Sequence, residues 1–297
     1  AEEASHFTLV KLNTLPLFEV IAKSLAAAHV RTLLIDSERT SYELMVQMKQ
    51  KLRGIKVIQH SALLHQLRIV KGKSELKLLA KAADISCTAF NKLLPFIKPG
   101  ITERQVAQRL EYLMQELGAD KIAFETIVAS GSNGAKPHAQ VTDKKIKTGE
   151  LVTIDFGASY RGYLADMTRT VAIGKVSPKL LEMYDVVQKA QQLGCASAKA
   201  GITGKALDTI CRQYIEKRGY GTYFLHSTGH GLGMEVHELP YVSPANVKPL
   251  PEGSVVTCEP GVYIEGVGGV RIEDALVLTK SGNINLNQIA PKKLIVL

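Results

Sequence analysis

The sequence predicts an α+β protein of two pseudo-symmetric halves, preceded by a small α/β piece, and three observations carry that prediction. Two glycine-bracketed strands, "GELVTIDFG" (149–157) and "GSVVTCEPG" (253–261), match at an offset of 104, with Asp155 on Glu259. Upstream of them, "KPGITERQVAQRLEYLMQELGA" (98–119) and "KAGITGKALDTICRQYIEKRGY" (199–220) align without a gap at an offset of 101. Each of these is preceded by a long segment with apolar residues at helical spacing.

The elements follow in order. Residues 1–67 hold an amphipathic helix, "LFEVIAKSLAAAHV", and two short strands, "RTLLID" and "GIKVIQ", which is little material for an independent core. "KSELKLLAKAADISCTAFNKLL" places apolar residues at 78, 82, 85, 89 and 93, a long helix with Ser74 as its expected N-cap. Pro95 and Pro99-Gly100 end it. The next helix has a capping box in Thr102 and Gln105 and a stop at Gly118. After the first acid strand the chain turns at "SYRG" (159–162) and returns as "LADMTRTVAI". The second half repeats the plan: Ser177-Pro178 opens a helix reaching about Lys199, and the second acid strand turns at "EGVGG" (265–269) and returns as "VRIEDALVL".

Composition bounds the function classes. The 297 residues are 45% hydrophobic and 22% charged, which is globular material. No apolar run approaches a membrane span of roughly 20 residues. "AEEASHFTLVKL" has no basic region followed by an apolar core, so no signal peptide is expected, and without an initiator Met the chain is read as processed or shortened. Four scattered cysteines without a CxxC pair suit a reduced, cytoplasmic protein. The net charge of +9 resides mainly in lysines at helical and loop positions, the pattern of solvated faces. There is no Trp and no aromatic interleaving for base stacking, so nucleic acid is not an expected partner.

The acids carry the chemistry. A carboxylate in an apolar strand costs several kcal/mol unless it is paired, bound to a cation, or at a strand end open to water. Asp155 and Asp166 are equidistant from the centre of the 159–162 turn, so a regular hairpin sets them directly opposite with Cβ atoms roughly 5 Å apart. Two bare carboxylates that close repel, and a divalent cation removes the repulsion. In the second repeat Glu273 lies 14 residues after Glu259; Arg271 shares its side of the strand and Asp274 takes the other. Four convergent carboxylates suit two hard divalent ions about 3.5–4 Å apart. One imidazole shifts the choice from magnesium or calcium toward manganese, iron, cobalt or zinc. "HSTGHGLGMEVHE" supplies His226, His230 and His237, amid glycines that allow close backbone approach and without the HExxH spacing of a helix-borne zinc site. His138, in "GSNGAKPHAQ", sits in a loop that also reads as a plain turn.

The order Asp155, Asp166, His230, Glu259, Glu273 resembles the five-ligand set of the pita-bread metallopeptidases, which include methionine aminopeptidase, aminopeptidase P and prolidase. The stretches that carry the resemblance are "IDFGASYRGYLADMTRT", "HSTGHGLGMEVHELP" and "CEPGVYIEGVGGVRIED", and the last resembles the Xaa-Pro branch. It implies a pita-bread fold, a curved antiparallel sheet covered by helices, over residues 68–297. Residues 1–67 resemble only the back half of the creatinase-type N-terminal domain those peptidases carry.

By position, the resemblance implies that Asp155 chelates one metal, that Asp166 and Glu273 bridge the pair, and that His230 and Glu259 complete the other. A water acidified between the two cations would be the nucleophile and Glu259 its general base. His237 and His138 would contact the scissile carbonyl or the tetrahedral intermediate, with His226 and Arg271 positioning substrate or ligands. The expected cofactors are two divalent ions, manganese first and cobalt, zinc or iron as alternatives. The expected assembly is a homodimer, and the expected substrate a peptide with proline second. Rival readings are a methionine aminopeptidase, a metal-free creatinase-like hydrolase, and a non-enzymatic scaffold that binds protein or nucleic acid. What closes the far end of the site would decide between a dipeptidase and an aminopeptidase.

Overall fold

The computed structural model describes residues 9–10, 12, 16–60 and 63–297, so the N-terminal stretch read above for a leader lies mostly outside the described residues. The chain divides into two compact units, Ala1–Leu67 and Arg68–Leu297.

The first unit holds α1 (Leu17–Ala27), β1 (Thr32–Ile35), α2 (Tyr42–Lys51) and β2 (Lys56–Gln59). β1 and β2 pair in parallel from Thr32↔Lys56 to Ile35↔Gln59. A parallel pair cannot close through a tight turn, and α2 is its crossover. Its buried side chains include Phe18, Ile35, Met45 and Leu52. The chain continues through α3 (Leu63–Ile69).

The second unit opens with α4 (Lys73–Leu93). Its N-cap is Gly72, not Ser74, because the Glu75 carboxylate accepts the Gly72 N–H at 2.7 Å and so satisfies a donor that would otherwise be orphaned. α5 (Glu103–Glu116) has the expected capping box: the Thr102 N–H donates to Gln105 Oε1 at 2.9 Å, and the Gln105 N–H to Thr102 Oγ1 at 3.1 Å. The strands of this half are β3 (Lys121–Ile122), β4 (Ile127–Ser130), β5 (Leu151–Phe156), β6 (Ala158–Tyr160), β7 (Tyr163–Leu164) and β8 (Met167–Ala172). The other half runs through α6 (Pro178–Ser197), α7 (Gly204–Lys217), β9 (Gly229–Gly231), β10 (Glu238–Val242), β11 (Val255–Cys258), β12 (Gly261–Ile264), β13 (Gly268–Arg271), β14 (Asp274–Leu278) and β15 (Asn283–Asn285).

The strands of the second unit pair antiparallel, with β4-β5-β8 in one half and β10-β9-β11-β14-β15 in the other. Helices cover both halves. Phe90 and Leu93 of α4 and Val106 and Leu110 of α5 bury against Val152, Ile154 and Phe156 of β5. Met183 and Val187 of α6 and Leu207 and Cys211 of α7 bury against Val256, Cys258 and Leu276. This is the two-layer α+β arrangement of the pita-bread fold.

Backbone hydrogen bonds carry the repeat. Gly100 N–H donates to Ile146 C=O at 2.9 Å and Gly201 N–H to Leu250 C=O at 2.9 Å. Ile146 N–H then donates to Ile101 C=O, and Leu250 N–H to Ile202 C=O, both at 2.8 Å. Two helices alike only in their caps would not share these long-range pairs.

One predicted geometry is corrected. The two turn residues are Arg161 and Gly162, with φ of 48° and 81°, the positive values a two-residue hairpin turn requires. The pairing Tyr160↔Tyr163 carries on to Phe156↔Met167 and Asp155↔Thr168. Asp155 therefore faces Thr168, and in that register Asp166 falls opposite Gly157. Both acids stay on one face, because the register differs by an even number of residues, but they are diagonal neighbours rather than directly opposed.

Candidate metal centre

Each acid reaches the centre from the end of a strand. Asp155 is the fifth residue of β5, Asp166 immediately precedes β8, Glu259 immediately follows β11, and Glu273 lies between β13 and β14. His230 is the middle residue of β9, where flanking glycines let the neighbouring strands close in. A Cβ at Gly229 would lie 2.1 Å from Thr257 O, and one at Gly231 2.3 Å from Leu239 O. All nine residues singled out in the sequence line one cavity of about 550 Å³.

Asp166, His230 and Glu273 each offer a ligand atom, and these atoms lie within 4.8 Å of one another. His230 Nε2 is 3.1 Å from Glu259 Oε1 and 3.6 Å from Asp166 Oδ2. Its Nδ1 is 3.1 Å from Gly231 C=O, which can only accept, so Nδ1 carries a proton and Nε2 is the atom turned toward the carboxylates. Burial opposes charge on this ring, but the Glu259 hydrogen bond and the charges of Glu259 and Asp166 outweigh it and raise the imidazole to about 9, so without a metal a proton occupies Nε2 on the side of the acids, and a cation bound there would replace it. Two buried carboxylate oxygens, Asp155 Oδ1 and Glu273 Oε1, have no hydrogen-bond partner among the described residues. Burial, compounded by repulsion from Asp155, pushes the Asp166 carboxyl well above its usual range. Burial likewise raises Glu273, with Asp166 and Glu259 adding to it. Partnerless oxygens, crowded acids and one imidazole fit hard or borderline divalent cations.

Around the acids runs a hydrogen-bonded frame. Thr168 Oγ1 donates to Glu273 Oε2 at 2.7 Å and accepts from Arg271 Nε at 3.1 Å. Thr257 Oγ1 donates to Glu259 Oε1 and accepts the His230 N–H, both at 3.1 Å. Arg271 Nη2 donates to Asp155 Oδ2 at 2.6 Å and Nη1 to the Tyr263 hydroxyl at 2.8 Å. That hydroxyl is 2.8 Å from His226 Nε2, while His226 Nδ1 is 2.8 Å from Ser227 C=O. With Nδ1–H on the carbonyl, His226 accepts the tyrosine proton at Nε2. Burial pushes the Tyr263 hydroxyl up to about 12, so it stays a donor at neutral pH.

His237 and His138 are exposed on the cavity wall. The segment from Leu232 to His237 is bent rather than helical, and the His237 ring stands edge-on to His230 with centroids 4.3 Å apart. Asp274, on the opposite side of the strand from Arg271 and Glu273, pairs with Arg169 Nη2 at 2.8 Å away from the centre.

Sequence reasoning missed Tyr263, Thr168, Thr257 and the apolar wall of Phe124, Ile127 and Val236. Strand parity could have found Tyr263, since Gly261 pairs with Arg271 and Tyr263 shares that face two residues on. A Cβ at Gly261 would lie 2.4 Å from the Tyr263 hydroxyl, so glycine there makes room for it. The apolar wall comes from segments distant in sequence and has no local signal.

The fold and the centre define a metal-dependent hydrolase scaffold. The chain belongs to metallopeptidase family M24, whose family model matches residues 77–280. It is 44% identical over 247 residues to the Xaa-Pro dipeptidase of Pyrococcus horikoshii, a match covering 83% of this chain and 70% of that one. Among solved structures it is similar to an Xaa-Pro dipeptidase from Bacillus anthracis, with a TM-score of 0.96 and 41% identity over 100% of this chain and 82% of that one. It is also similar to an X-Pro aminopeptidase from Thermotoga maritima, with a TM-score of 0.95 and 38% identity over 100% of this chain and 84% of that one.

Proposed function

We propose that the chain hydrolyses the bond between an N-terminal residue and a following proline. The observation that carries this is the single cavity in which four carboxylates, two of them with buried partnerless oxygens, meet His230 beside an apolar wall of Phe124, Ile127 and Val236. The relatives named Xaa-Pro dipeptidase and X-Pro aminopeptidase support it. Proline has no amide N–H and a fixed φ, so a site for it needs apolar surface for the ring rather than a hydrogen-bond acceptor.

In this reading Asp155, Asp166, His230, Glu259 and Glu273 hold two divalent ions. When bound, the ions supply Lewis acidity and lower the pKa of water toward neutrality. Asp166 and Glu273 would serve both ions, Asp155 would be a ligand of one, and His230 with Glu259 of the other. Glu259 accepts the proton of the attacking water. His237 and His138 meet the carbonyl oxygen as negative charge develops on it. Arg271 holds Asp155 in place, and His226 locks the Tyr263 hydroxyl that steadies Arg271.

Manganese is the proposed native metal, the homodimer the proposed assembly and the cytoplasm the proposed compartment; among the described residues, no helix is long and apolar enough to cross a membrane. Residues 1–67 are proposed as a partial creatinase-like N-terminal domain and 68–297 as the catalytic domain. The test is hydrolysis by metal-reconstituted protein of Xaa-Pro, Xaa-Pro-Yaa and Met-Ala-Yaa peptides. Cleavage before proline is expected, and cleavage confined to Met-Ala-Yaa would overturn the reading.

A further inference from the structure

A second cavity, of about 730 Å³, adjoins the centre and shares Phe124, Ile127 and His138 with it. One face of α5 lines it with Arg104, Ala107, Gln108 and Glu111, a spacing that puts all four on one side of the helix. The 122–127 and 138–141 segments complete the lining. From Arg104 to Glu111 the helix rises about 10 Å. An extended peptide covers that distance in about three residues.

The charges in the two cavities bear on what enters them. A dipeptide Xaa-Pro carries its carboxylate one residue from the scissile bond, where a free cation close to the centre would favour its binding. Among the described residues lining the central cavity the sole arginine or lysine is Arg271. Its guanidinium is already committed to Asp155, Tyr263, Thr168 and Pro137 C=O. In the second cavity Arg104 is likewise engaged, with Asp143 at 2.7 and 3.3 Å. Glu111 and Glu125 add negative charge there. Thr126, 5% exposed, brings a buried hydroxyl with no partner among the described residues. With Gln108, Gln140 and the Thr126 hydroxyl among apolar side chains, this lining suits a peptide backbone.

We propose that the second cavity is the groove for the departing peptide, and that the chain acts on Xaa-Pro peptides of three or more residues in preference to Xaa-Pro dipeptides. The proposal rests on the Xaa-Pro peptidase reading above. Hydrolysis adds water across the amide: oxygen bonds to the carbonyl carbon of the first residue, the C–N bond to proline breaks, and the proline nitrogen takes up a proton. An enzyme that removes one N-terminal residue must leave space on the leaving-group side, and this cavity adjoins the centre, with Phe124, Ile127 and His138 lining both.

The metal-reconstituted full chain is assayed on Ala-Pro, Ala-Pro-Ala, Ala-Pro-Ala-Ala and Ala-Pro-Ala-Ala-Ala. kcat/KM is expected to rise about tenfold or more from the dipeptide to the tetrapeptide and then to level off, as the length of α5 dictates. Gln108→Trp and Glu111→Trp fill the groove, and each is expected to lower the tetrapeptide-to-dipeptide ratio about tenfold. Calorimetric binding of the leaving peptide Pro-Ala-Ala to metal-free protein should weaken in parallel. Equal or better turnover of Ala-Pro overturns the groove while the peptidase reading stands. So does an unchanged ratio with unchanged Pro-Ala-Ala binding in both folded variants. If the folded, metal-loaded protein cleaves none of these peptides, the peptidase reading itself falls and the groove's role with it.

Discussion

Gly157→Ala adds one methyl group at the point where the two acids of the first half are set against each other. The added Cβ would lie 1.8 Å from the Ala165 carbonyl oxygen and 2.7 Å from its carbon, both backbone atoms. Side-chain Cβ atoms essentially never come closer than 3.0 Å to such neighbours, so the segments bearing Asp155 and Asp166 must part by about 1.2 Å. Metal and catalytic constellations tolerate on the order of 0.5 Å, and a 1 Å misplacement costs about 10²-fold in rate. Overpacking of this kind destabilises by about 1–3 kcal/mol. In a unit of this size that corresponds to a fall in Tm of about 2–12 °C. Gly282→Ala is the control, since no atom lies within 4 Å of its added Cβ. The assay is metal content by elemental analysis, Tm by calorimetry and peptide hydrolysis, all on one preparation. Gly157→Ala is expected to lose bound metal and at least about 10²-fold of activity relative to the control. Full metal occupancy with the control's Tm would refute the claim that the close approach of Gly157 and Ala165 sets the distance between the acids.

Asp166→Asn keeps the shape of the side chain but removes its charge, so metal and activity should be lost together; two metals on an active variant would end the dinuclear reading. His237→Ala should lower kcat by about 10²–10³-fold with little change in KM, the signature of a group that acts on developing charge. If instead Tm falls while turnover of the metal-loaded protein is normal, His237 only ties down its loop. Thiol labelling offers a check on burial: Cys87, Cys211 and Cys258 are fully buried, and burial pushes the Cys87 thiol up to about 11. Native protein at pH 8 should therefore label at Cys195 alone, and the other three should react only on unfolding.

The ends of the helices and the repeat were legible in the sequence because their causes are local. Thr102 and Gln105 satisfy each other's backbone donors within four residues, so the start of α5 could be read directly. Ser74 misled because any hydroxyl residue near a helix start is a plausible cap, and it was the reach of Glu75 back to Gly72 that selected the start. The turn at 159–162 was visible, but which two residues take positive φ was not, and a one-residue change in the turn centre moved the partner of Asp155 from Asp166 to Thr168.

The sequence by itself determined which residues would be drawn into the site, since a carboxylate on an apolar strand has few stable destinations and the repeat supplied two of them. It also determined the faces, because strand period 2 survives an even register error. Only the tertiary structure decided the distances between those groups, the Nε2 of His230 turned toward the acids, and the Tyr263 hydroxyl between Arg271 and His226. The cavity along α5 was decided there as well. These depend on how separate segments close on one another, from His226 and Tyr263, 37 residues apart, to Asp155 and Arg271, 116 apart, and no single stretch of the chain encodes that approach.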